Sequence, residues 1–291
     1  MIDGLRRNGG LFGGIVVAAL IGGFSASWMI GARGVPGPLL LLGGEVGGGA
    51  PLAALAILLL LTLVAVVVAR LCNAAVALFV LGCGLAVLAM RSGGAVDLAF
   101  GGVAPARIGM ETIAWAAAVG VSTLAIFRFG GMLPDVHAEG SPMGSAFSKQ
   151  ALVACAAGVL AVPVALVVFR NDLKGQAIAA ATIAGMVVGT AGRLWSPRTQ
   201  PILLVSAAIL ALGVAQMVMA RLLPGAMDVS FVKNVVPRLL LAAPIDLAAG
   251  AAAGVGMGLG WAKSFMREQK AGTGGAAGES LRRSTAAGRL A

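Results

Sequence analysis

GAAAGVGMGLGW, residues Gly250 to Trp261, carries glycine at every second position from Gly254 to Gly260 and another at Gly250. Glycine runs of this kind turn tightly around phosphates, line ion filters, or let helices touch. A dinucleotide-binding turn needs a strand before its glycines and a water-exposed helix start after them. These glycines lie instead inside an apolar run from Ile245 to Ala262. The VGMG segment also continues that run, whereas a potassium filter is a loop between two helices. The remaining reading is a membrane helix with Gly250, Gly254 and Gly258 on one smooth face and Gly256 and Gly260 on a second. A neighbouring helix of the same chain is expected against the first face.

The surrounding sequence belongs in the same environment. Hydrophobic residues make up 59% of the 291 positions and charged residues 11%, where soluble domains carry roughly a quarter. Mean hydropathy is +0.98. About 20 helical residues cross the hydrocarbon core, and apolar runs near that length recur along the chain. Eight are expected, at Leu11–Ile30, Pro51–Ala69, Leu71–Met90, Glu111–Phe127, Ala151–Phe169, Gln176–Gly192, Pro201–Ala220 and Ile245–Ala262. The fold class is therefore all-α: a polytopic integral membrane protein with a single transmembrane domain over residues 1–262. The basic tail, residues 263–291, is rich in Gly, Ala and Ser without a hydrophobic face, and is expected to be disordered and cytoplasmic.

The net charge of +10 does not point to nucleic acid, because the basic residues punctuate the ends of apolar runs, Tyr is missing and the four Trp stand alone, so there is no basic patch interleaved with stacking aromatics. With the N-terminus in the cytoplasm, 13 of the 21 Lys and Arg fall on that side. The positive-inside rule then puts both termini in the cytoplasm of a bacterial-type inner membrane. The same arrangement puts Trp28 and Trp115 near the outer interface and Trp195 and Trp261 near the inner one. Lys263, Arg267 and Lys270, just below the last span, are placed to attract anionic lipid. The glycine-rich connections 31–50 and 92–109 either rest on the outer surface or fold back between helices.

Chemistry-bearing residues are few. Cys72, Cys83 and Cys155 lie in apolar runs, where cysteine acts as a small hydrophobe. His137, the only histidine, sits with Asp135 and Glu139 in a polar loop that reads as solvated surface. No catalytic residue, cofactor or metal site is assigned. Asp246, in LAAPIDLAAG, is the strongest polar candidate. If its helix began at Leu239, Asp246 would lie about 10 Å deep, with a carbonyl freed by Pro244 beside it. If the helix begins at Pro244, which is preferred, the proline occupies the first turn and Asp246 meets the positive end of the helix dipole. Glu111 carries the same two readings at the outer end of its span. Asp246, Glu111 and Arg238 are the candidate transport-path residues, and Gly250, Gly254, Gly258, Gly185 and Gly189 the candidate packing positions.

Three classes of function follow. A permease-like carrier of a small solute or ion would use the ionisable residues beside Pro and Gly breaks. A non-catalytic membrane subunit or scaffold, homo-oligomeric or bound to a partner subunit, would use the glycine faces. A membrane-embedded enzyme is the third and has no visible acid, base or metal set to support it.

Overall fold

Once a backbone is in lipid, every N–H and C=O must find its partner internally, and helices meet that demand within one segment. The computed structural model describes residues 2–29, 37–43, 50–136, 148–223 and 225–287. Among them are no strands and eight helices long and apolar enough to cross a membrane. We number these α1 (Ile2–Ser25), α2 (Ala50–Leu71), α3 (Ala74–Arg91), α4 (Pro105–Ala125), α5 (Lys149–Val168), α6 (Lys174–Trp195), α7 (Leu204–Arg221) and α8 (Pro244–Ala287). The chain is a polytopic all-α membrane protein.

Local sequence explains most boundaries. Asn73 caps α3 by accepting the Val76 amide at 3.0 Å. Pro105 opens α4, where its missing N–H costs nothing. Pro163 removes an amide from the middle of α5, and the turn before it tightens into a 3-10 segment, Ala157–Leu160. Pro244 opens α8, preceded by a separate 3-10 turn over Arg238–Leu241.

The most enclosed of the eight spans is α8. It packs lengthwise against α6 on one side and α3 on another, and also touches α4 and α7. Glycine is what permits this. A Cβ on Gly254 would collide with the Thr182 carbonyl, and one on Gly250 or Gly258 with the carbonyls of Ile178 and Met186. From the other side, a Cβ on Gly185 would sit 2.7 Å from the Ala251 oxygen and one on Gly189 2.6 Å from the Val255 oxygen. On α3, Gly82 lies against Ala253, while Gly256 of α8 meets the Ala75 carbonyl and Phe79 amide. The two backbones that flank α8 are thus in direct contact with it, the small-residue packing that lipid favours. Around this axis α4 pairs with α7, α1 and α2 cover α3, and α5 covers α6 and α7.

Eight spans bring Ile2 and Lys263 to one face, here the termini face. The opposite face is covered by short pieces: the segment 37–43, a helix at Ala95–Phe100, another at Met227–Val232, and the turn Arg238–Leu241. Leu40, Leu98, Ala99, Ile108, Met227 and Ala243 form a small core beneath this cap. Phe100 and Phe231 meet edge to face above it, with ring centroids 5.9 Å apart.

Several expectations require correction. Segment 37–43 does not rest loosely outside, because Leu39 joins the main core and Leu40 the cap core. Glu111 is not at a helix start, since α4 begins six residues earlier and carries it about 9 Å along the axis. Trp115 is fully buried rather than interfacial, whereas Trp28, Trp195 and Trp261 are exposed. Arg193 does not snorkel to water; it is 1% exposed and paired with Asp135.

Candidate functional site

The polar groups buried near the face opposite the termini sit at the ends of α3, α4, α6, α7 and α8, where the cap closes over the bundle. Asp246 is in the first turn of α8, as the preferred helix start requires, yet it is only 1% exposed. Its Oδ2 accepts the Ala243 amide at 3.3 Å, a local helix-start contact. Its Oδ1 pairs with Lys174 Nζ at 3.4 Å. Lys174 opens α6 and also donates to the Ala89 carbonyl and, at 3.4 Å, to Ser92 Oγ at the end of α3. One ammonium therefore ties together the ends of α3, α6 and α8.

Lys174 was not among the residues picked out from sequence, although a signal was present. A cation in the first turn of a helix opposes the dipole and calls for a carboxylate nearby. Gln216 was also passed over. It lies within the apolar run of α7 and is fully buried. Its amide nitrogen donates to the carbonyls of Leu239 at 3.0 Å and Ala242 at 3.1 Å, while its oxygen accepts from Thr112 Oγ1 of α4. It supplies the donors that the broken backbone ahead of α8 requires.

Glu111, with its side chain fully buried, holds segment 37–43. The Leu41 amide donates to Oε2 at 2.6 Å, and the Leu42 amide to Oε1 at 3.0 Å and Oε2 at 3.1 Å. Arg107, one turn earlier and partly exposed, stands 4.0 Å from Oε1. Glu111 thus acts on backbone, as an anion at a nest of amides.

The three candidates are not brought into one constellation. Asp246 and Glu111 are linked indirectly, through the cap, where Leu40, next to the amides on Glu111, shares a core with Ala243, and through Gln216, which joins Thr112 to the Ala242 carbonyl. Arg238 is exposed at the start of its 3-10 turn and forms no ion pair among the described residues.

A second polar cluster closes the termini face. Arg193 at the end of α6 donates to Asp135 Oδ2 at 3.2 Å and to the Pro197 carbonyl at 2.8 Å. Thr199 accepts from Ser196 and donates to Gln150 of α5, both at 3.1 Å, and Gln200 binds the backbone of Leu133. His137 and Glu139, expected beside Asp135 in a solvated loop, lie outside the described residues. Among the described residues no three His, Cys, Asp or Glu gather in a metal-holding arrangement.

What the opposite-face arrangement can do follows from its charges. A carboxylate and an ammonium taken from water into a helix bundle are costly unless matched, and each is a potential exchange partner for a proton, a cation or a charged solute. The pair also stands at the end of a seam between α6 and α8 in which glycines of each helix meet the backbone of the other. Comparison with protein-family models, with curated proteins and with solved structures found no match, so function rests on this geometry.

Proposed function

We propose that the chain is a permease-like carrier of a small solute or ion, in which the Lys174–Asp246 pair closes the α6–α8 seam on the face opposite the termini. The observation that carries this reading is an ion pair between a buried carboxylate, Asp246, and a partly exposed ammonium, Lys174, at the end of a glycine seam. Seams of small residues let packed helices shift with little side-chain rearrangement, and a charged pair at the end gives a contact that a solute or proton can exchange. In this reading Glu111 and Gln216 hold the cap through which access is gained, and Arg238 stands at its outer rim. The orientation follows the basic residues, with both termini in the cytoplasm of a bacterial-type inner membrane and Lys263, Arg267 and Lys270 against anionic lipid.

Proteoliposomes test the reading by solute- or ion-driven flux measured against empty vesicles. Flux is expected in wild type and strongly reduced in Asp246→Asn. Equal flux in the two proteins would remove Asp246 from the mechanism.

A second reading, a non-catalytic subunit that packs against partner helices or a second copy, is favoured by one observation. On α1, the least enclosed span, Gly9 and Gly13 have no neighbour within 4 Å of their Cβ positions among the described residues. Chemical cross-linking in mild detergent should then trap an oligomer that Gly13→Leu abolishes. A clean monomer in wild type would count against it.

A further inference from the structure

Between the ends of α3 and α6 on the face opposite the termini lies a cleft of about 310 Å³ that the transport reading does not use. Its walls are Ala86, Val87, Met90 and Arg91 of α3 and Gly175 and Ile178 of α6. Five of the six are apolar, and the sixth is an arginine. Met90, Arg91 and Gly175 are exposed, so the cleft opens outward from the bundle. Its inner limit is set by the chain itself: Lys174, next to Gly175, binds the Ala89 carbonyl and Ser92 hydroxyl of α3, and Ile178 backs onto Gly250 of α8.

Arg91 is the last residue of α3, at the level where hydrocarbon gives way to headgroups. Unlike Lys174 and Arg193, it forms no ion pair among the described residues. Gly175 matters as much: among the described residues nothing stands within 4 Å of where its Cβ would be, so a side chain there would enter the cleft. An apolar slot beside a spanning helix, with an arginine that has no ion-pair partner among the described residues at its headgroup end, matches one class of molecule.

We infer that this cleft binds an anionic phospholipid of the leaflet opposite the termini, with an acyl chain along Ala86, Val87 and Ile178 and the phosphate on Arg91. A zwitterionic lipid fills the slot equally well but brings its own cation to compete for the arginine. The inference is independent of whether the protein transports anything.

Native mass spectrometry of the full-length chain tests it, with phosphatidylglycerol and phosphatidylcholine of identical acyl chains as probes. One phosphatidylglycerol should be retained about fivefold better than phosphatidylcholine, the factor one basic residue provides near the membrane surface. Arg91→Gln should erase that preference, and Gly175→Phe, which fills open space, should lower retention of both lipids. Arg221→Gln, which removes an exposed arginine at the same face outside the cleft, should change nothing. The proposal is overturned if the two lipids are retained equally by wild type, if neither Arg91→Gln nor Gly175→Phe reduces binding, or if Arg221→Gln reduces it as much as Arg91→Gln.

Discussion

The two glycine-rich helices, α1 and α8, carry the same spacing but differ in which of their glycine faces meets a neighbour. On α8, Gly250, Gly254 and Gly258 are each in backbone contact with α6, and Gly256 with α3. On α1, Gly10 and Gly14 lie against α2 and α3 and Gly22 against the α3 backbone, whereas Gly9 and Gly13 meet nothing among the described residues. A small residue every fourth position gives a smooth face; it does not say what that face touches. The difference lies at the helix ends. The first turn of α8 is fixed by the Asp246–Lys174 pair, and the chain just before it by Gln216. Those contacts pin α8 among four neighbours.

Breaking the comparison at its strongest point gives the largest effect. Gly254→Leu drives a branched side chain into the Thr182 carbonyl and should prevent recovery of folded protein in mild detergent. Gly254→Ala should cost about 1–3 kcal/mol as an overpacking substitution. Gly13→Leu, at the same spacing on α1, should shift stability by no more than about 0.5 kcal/mol in a denaturant titration of the monomer. Equal losses from the two leucine variants would show that both faces are packed alike.

The polar pins come next. Lys174→Met leaves the buried Asp246 carboxylate without its partner and should cost about 3–5 kcal/mol, whereas Asp246→Leu leaves a partly exposed ammonium and should cost less, and the double variant should be milder than Lys174→Met. Additive losses in that cycle would mean that the two charges act separately.

Glu111→Ala should have a more local effect. It strips the acceptor from the Leu41 and Leu42 amides, at a cost of about 2 kcal/mol, and should raise hydrogen exchange in segment 37–43 while leaving α8 protected. The smallest expected change is Thr62→Val. It removes the 2.9 Å hydrogen bond to Ser122 that links α2 and α4, worth about 0.6 kcal/mol within a membrane bundle.

The eight spans were legible because crossing a bilayer imposes length and apolarity that few other constraints mimic. Their ends were harder to read. Pro105 and Lys174 begin helices before the apolar run does, since the first turn needs helix-start chemistry rather than hydrophobicity. The position of Asp246 in the first turn could be read from Pro244, but its burial could not, because the cap that covers it comes from segments distant in sequence. Lys174 was hidden for a related reason: a lysine at a span boundary satisfies the topology rule whether or not it has a partner. Arg193 and Trp115 show the converse, since residue types that favour an interface are held in the interior by contacts arising only in the folded bundle.

The central claim is that the Lys174–Asp246 pair closes the seam between α6 and α8. It is tested most directly by water access one turn below the pair. Ala249 is fully buried there, and an Ala249→Cys variant without the three native cysteines can be labelled by a water-soluble maleimide added to oriented proteoliposomes. With the pair intact, labelling from the face opposite the termini should be slow, and adding Asp246→Asn should speed it at least about tenfold, the factor given by 1.4 kcal/mol of lost closing energy. The same rate in both backgrounds would contradict the claim.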